Sequence, residues 1–134
     1  MATSQCSCGK LKITLPTEPE MVIICHCTAC QRRTGSAFGV GAFYHREAVT
    51  IVGFANEFRR LGDSGGVVRT YFCPECGSTV YWIAERLPSM IAIAAGTILD
   101  YPKSRIADKS VFEHTSWDGI EVEARERFSA GVVR

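Results

Sequence analysis

Two cysteine pairs constrain this chain more than any other feature: Cys6 and Cys8 near its start, Cys73 and Cys76 past its midpoint. Each pair sits where a short strand-like run meets a turn, and each offers two thiolates. A disulfide across so short a loop is strained, whereas thiolates two or three positions apart converge readily on one ion. Together the pairs make a closed, four-thiolate structural metal site. Closing the intervening loop of about 64 residues costs roughly 4 kcal/mol, and structural zinc returns roughly 10–16 kcal/mol as folding energy. The N-terminal turn is therefore expected against the central "CPECGS" knuckle.

Three further cysteines, Cys25, Cys27 and Cys30 in "CHCTAC", have no fourth cysteine to join them. If 25–27 is extended, both sulfurs point to one side and His26 to the other. His26 then reads as an ordinary hydrogen-bonded histidine and not as a ligand. His45 and His114 lie at no ligand-like spacing, although a fold can bring either one to the site. Three thiolates around an open position is the expected arrangement, with Cys25, Cys27 and Cys30 as both metal ligands and catalytic residues.

The background is that of a single soluble domain spanning 1–134. The chain is 46% hydrophobic and 22% charged, with a net charge of +1 and no basic stripe, which gives nucleic-acid binding little electrostatic support. The longest apolar run, Met90 to Ala95, is too short to cross a membrane. The N-terminal "MATSQCSCGK" lacks the features of a secretory signal, so the default address is cytoplasmic. In a reducing compartment seven cysteines, an odd count, again favour metal over disulfides.

Short strands dominate the pattern. "KLKITL" (10–15) alternates so that Leu11, Ile13 and Leu15 share one face. Further strands are expected over 21–25, 36–45, 49–53, 57–61, 67–72, 79–84 and 89–96. "TACQRRTG" (28–35) fits one helical turn ended by Gly35, and Gly39 and Gly41 mark bulges or a close backbone approach. "GDSGG" (62–66) is the clearest turn. Beyond residue 97, "SVFEHTSW" (110–117) reads as a strand and "IEVEARERF" (120–128) as strand or helix.

The segments "CSCGKLKITL", "CHCTACQRRTGSAFGVGAFY" and "YFCPECGSTVYW" resemble, in order and spacing, the glutathione-dependent formaldehyde-activating enzyme family. This is the Gfa-like group of the Mss4-like fold, which also holds the centromere protein V relatives. The resemblance covers nearly the whole chain, specific over the first two-thirds and looser over the last third, where it runs chiefly through "GTILDYP" and an aromatic segment around Trp117. It implies a mainly β, zinc-bound sheet of short antiparallel strands with little helix. It also implies two zinc ions, one structural on Cys6, Cys8, Cys73 and Cys76, the other on Cys25, Cys27 and Cys30 and open to a thiol. The implied activity adds glutathione to formaldehyde, a carbon–sulfur lyase reaction in the reverse sense.

That chemistry suits the residues. A metal that already carries three thiolates favours a soft thiol as its fourth ligand over water. Thr34, Ser36 or the amides of the 33–36 turn are candidate oxyanion donors. Arg32, Arg33, Arg59, Arg60 and Arg69 are candidates for the carboxylates of glutathione, while Phe38, Phe43, Tyr44 and Trp82 read as core. The partners expected are a small thiol and a small aldehyde, with no nucleic acid and no membrane. Two other functions remain open on the same scaffold: a non-enzymatic carrier of glutathione or zinc, and a structural zinc module that binds protein.

Overall fold

The computed structural model describes residues 1–63 and 65–131. Short strands, many of them continuous apolar runs, build most of it. In β2 (Lys12–Leu15) the buried members are Ile13 and Leu15, with Leu11 just before the strand on the same face. The strand pairs antiparallel with β1 (Ala2–Gln5) on one side and β5 (Thr50–Val52) on the other, giving a three-stranded sheet. The strand β1 has no counterpart in the sequence reading, because "ATSQ" carries no apolar alternation.

An eight-stranded sheet forms the rest. It runs from β11 (Ala124–Arg127) through β10 (Ala107–Val111), β3 (Met21–Cys25), β4 (Gly39–His45), β9 (Met90–Ala94), β8 (Thr79–Ala84) and β7 (Val67–Phe72) to β6 (Asn56–Leu61). The pairs β3–β4, β4–β9, β9–β8, β8–β7 and β7–β6 are antiparallel. The exception is β10, which runs parallel to both β3 and β11. The strand expected over 110–117 begins earlier and stops at Val111. There Phe112 adopts a left-handed conformation (φ 55°) and opens a single 3-10 turn over Glu113–Thr115. Only 124–127 of the ambiguous 120–128 stretch is strand. The turn expected over 62–66 includes Ser64, outside the described residues.

The two faces of the large sheet differ. Val22 and Ile24 of β3, Ala42 and Tyr44 of β4, and Ile91 and Ile93 of β9 pack with Leu11, Ile13 and Leu15 into one core. Their alternate neighbours, Met21 and Ile23, Gly41 and Phe43, and Trp82 on β8, face the other way and line a cavity. The strand period of two thus separates core from cavity. Among the described residues no helix is long and apolar enough to cross a membrane.

Candidate metal centres and cavity

The two cysteine clusters form as the spacings require. Cys6 and Cys8 lie on the turn after β1, and Cys73 and Cys76 lie on the knuckle between β7 and β8; their four sulfurs all fall within 4.8 Å of one another. The Cys6–Cys8 and Cys8–Cys73 sulfur separations are 3.6 and 3.7 Å. A tetrahedron with metal–sulfur bonds of about 2.3 Å has edges of about 3.8 Å, so these sulfurs stand at metal-site spacing and far from disulfide length. The Leu11 amide donates to Cys6 Sγ at 3.3 Å. Cys76 Sγ lies 3.3 Å from Ser78 Oγ, and that contact, with backbone donors, brings the Cys76 thiol down to about 5. The donor set fits zinc.

The second cluster comes from one continuous segment. Cys25 ends β3, Cys27 caps the helix α1 (Thr28–Thr34), and Cys30 sits in its first turn. The Cys30 amide donates to Cys27 Sγ at 3.3 Å, so the cap itself holds a sulfur in place. Gly35 ends the helix in the left-handed conformation (φ 63°), and its amide bonds to the Gln31 carbonyl. The three sulfurs lie within 4.8 Å of one another, and among the described residues no histidine or carboxylate joins them. Crowding by Cys27 and Cys30 drives the Cys25 thiol far up, while Cys25 and Cys30 hold Cys27 down to about 2. Three such sulfurs cannot all carry charge without a cation between them.

His26 turns away from the sulfurs, as alternation requires. It is buried, and its Nε2 lies 2.9 Å from Ser110 Oγ. Ser110 in turn donates to Glu113 at 2.7 Å, and Arg127 bonds the same carboxylate at 2.7 Å. Burial pushes the imidazole below its ordinary value. The His26 carbonyl accepts from Gln31 and Thr115, which pins the segment between the two outer sulfurs. His45 pairs loosely with Glu20 at the surface and His114 bonds the Ser129 carbonyl, so neither belongs to the cluster.

The cysteine trio borders a cavity of about 940 Å³. Its wall includes Phe43 and Trp82, which the sequence reading assigned to the core, and Arg33 and Arg60. The Arg33 guanidinium stacks over the Trp82 ring at 4.2 Å. Gly41 makes room for this arrangement, since a Cβ there would meet Trp82 Cζ2 at 2.8 Å. The "GVG" signal was visible in the sequence, but its partner Trp82 was not, because strand order decides which residue crosses it. Arg59 and Arg69 lie instead beside Glu57, away from the cavity, and Arg32 is exposed. Thr34 and Ser36 are also outside it. The Thr34 hydroxyl donates to the Cys30 carbonyl and accepts from the Ser36 amide, so both serve the helix end.

A family model described as glutathione-dependent formaldehyde-activating enzyme matches residues 1–115, a span that contains both cysteine clusters. The chain belongs to the glutathione-dependent formaldehyde-activating enzyme family. Comparison with curated proteins finds no match. Among solved structures, a crystal structure of a Rhodobacter sphaeroides protein aligns with a TM-score of 0.57 at 17% identity, covering 75% of this chain and 92% of that one. At that identity the likeness concerns the fold. The family's formaldehyde-activating function, in its general form, carries over to this member, whose two thiolate clusters can each hold a metal ion.

Proposed function

We propose that this protein joins a thiol of the glutathione type to formaldehyde or a similar small aldehyde, as a carbon–sulfur lyase in the reverse sense. Cys25, Cys27 and Cys30 hold a catalytic zinc, and Cys6, Cys8, Cys73 and Cys76 hold a structural one. The observation that carries the reading is the position of the trio: three converging sulfurs beside a cavity large enough for a tripeptide, with no fourth protein donor among the described residues. A zinc ion there supplies Lewis acidity that favours the thiolate over the thiol at neutral pH.

The chain's own residues bind and orient. Phe43 and Trp82 give the cavity apolar walls, and Arg33 and Arg60 present guanidiniums that match carboxylates. In the reaction the sulfur–carbon bond forms as the carbonyl π pair moves to oxygen, which takes up the proton the thiol gives up. Nothing is oxidised or reduced. With Thr34 and Ser36 committed to the helix end, the cavity-facing cations Arg33 and Arg60 are the candidate stabilisers of the developing oxyanion.

The test is native mass spectrometry of unoxidised protein titrated with glutathione, followed by rates of S-hydroxymethylglutathione formation measured above the spontaneous reaction. Two zincs and one tripeptide per chain are expected. Cys30→Ser is expected to keep its fold by circular dichroism, lose one zinc and fall to the uncatalysed rate. Full activity in that variant would overturn the assignment. Binding without any acceleration would make the protein a carrier.

A further inference from the structure

The outer edge of the eight-stranded sheet is the strand β6, which pairs only with β7 among the described residues. It is six residues long, contains neither Lys nor Pro, and pairs with β7 without a bulge. Its edge defence is charge, from Glu57, Arg59 and Arg60, and because both signs are present it repels a second copy in some registers and not in others. Apolar side chains also concentrate here. Five of the ten exposed large hydrophobics among the described residues fall within 51–61: Ile51, Val52, Phe54, Phe58 and Leu61. Phe54 is 88% exposed and Leu61 72%.

The backbone phase of this edge is fixed. Just beyond the strand, Gly62 donates to the Gly66 carbonyl, in the same register as the β6–β7 pairs. The Thr70 hydroxyl reaches the carbonyl of Phe58, its cross-strand partner, at 3.3 Å. The polar backbone groups of the even-numbered residues therefore face β7. Those of Glu57, Arg59 and Leu61 face outward and need a partner.

We propose that this edge pairs with the β6 of a second copy of the chain, antiparallel about a two-fold axis at Phe58. Because only odd-numbered residues present outward backbone groups, few registers are open. An axis at Arg59 sets that residue against the partner's Arg59, and an axis at Glu57 sets two carboxylates together. An axis at Arg60 again opposes like charges. The axis at Phe58 alone places Glu57 opposite the partner's Arg59, twice by symmetry, and Phe58 opposite the partner's Phe58. Cross-strand pairs of opposite charge and of aromatic rings stabilise a sheet, and like charges directly opposite destabilise it.

The consequence reaches the cavity. Phe58 shares a face of β6 with Arg60, which lines the cavity wall. In this register Arg60 lies opposite the partner's Asn56, so two cavities would share one continuous sheet face. The pairing is argued from the edge itself and is independent of the chemistry proposed for the cysteine trio.

Sedimentation equilibrium at about 100 µM, above the micromolar end of interface affinities, tests the proposal. The wild-type protein is expected at twice the 14.7 kDa chain mass. Glu57→Arg and Arg59→Glu are each expected to halve that mass. The double variant is expected to restore it, because the attraction returns with its sign reversed. Arg69, which bridges Glu57 in the wild type, can pair with the new carboxylate at 59 within the chain. Circular dichroism checks that each variant folds. Should a charge variant fail to fold, Phe58→Lys, at an exposed position, reads the same contact and is expected to be monomeric. A monomeric wild-type protein, dimeric single variants or a monomeric double variant would each overturn the proposal.

Discussion

Gly41 is a residue whose absent side chain shapes the cavity. A Cβ would stand 2.8 Å from Trp82 and 3.2 Å from Phe43, so Gly41→Ala must move an aromatic wall on which Arg33 also rests. Overpacking of this kind costs about 1–3 kcal/mol. The variant is expected to melt lower and to raise KM for the thiol several-fold, with two zincs still bound per chain. Metal content, measured beside the melting curve, separates this outcome from a lost centre. Asp108 shows the opposite case, a polar residue that ties strands together. It accepts from the Val22 amide at 2.8 Å and from Arg105 at 3.0 Å. Burial alone would raise its carboxyl, but these donors more than offset it and hold the carboxyl below its ordinary value. The stability so gained is present above the unfolded pKa of about 4 and is lost as pH falls through the folded value. Asp108→Ala is expected to cost about 1–2 kcal/mol at pH 7. Its difference from wild type should shrink below about pH 4 in paired urea melts. The gathering of all seven cysteines into two clusters that could hold metal was legible from spacing alone, whereas the places of Trp82 and Arg60 in the cavity wall were not. Spacing is local, and a cavity wall is assembled from strands whose order the sequence does not print.

At the scale of elements, the helix α1 illustrates how local signals suffice when they agree. Cys27 caps it, Gly35 ends it, and between them Cys30 is carried to its place beside Cys25. Nothing lies within 4 Å of where a Cβ at Gly35 would be, so a substitution there meets only the backbone penalty of the left-handed conformation. Gly35→Ala is expected to cost about 1 kcal/mol. Gly35→Asn should cost less, because asparagine tolerates this conformation. Urea midpoints with unchanged slope would show it. The alternating strand β2, the apolar run that became β3 and the aromatic-rich stretch that holds β4 were equally legible. The strand β1 was not, since its hydrogen bonds to β2, and not its side chains, make it a strand. The parallel course of β10 also escaped the sequence. A strand carries no mark of its partner's direction, and the 107–127 region reaches β3 from the far end of the chain.

Across the whole molecule the proposed division into a structural and an open metal centre predicts how the protein comes apart. The closed cluster joins residues 6–8, beside the small sheet, to residues 73–76 on the large one, and its Cys6 and Cys73 are only 1% exposed. The trio comes from one six-residue segment and borders an open cavity, so releasing an ion bound there would untie nothing distant. Loss of a long-range structural zinc removes roughly 10–16 kcal/mol, which matches or exceeds the whole stability of most domains at about 5–15 kcal/mol. Cys73→Ser is therefore expected to lack a cooperative unfolding transition, while Cys30→Ser keeps one. In the wild-type protein a colorimetric chelator should withdraw zinc in two stages. The first equivalent should leave with the far-ultraviolet dichroism unchanged, and the second with its collapse. Simultaneous loss of both equivalents with the fold would mean that the trio, too, holds the sheets together, and the division into a structural and an open centre would fail.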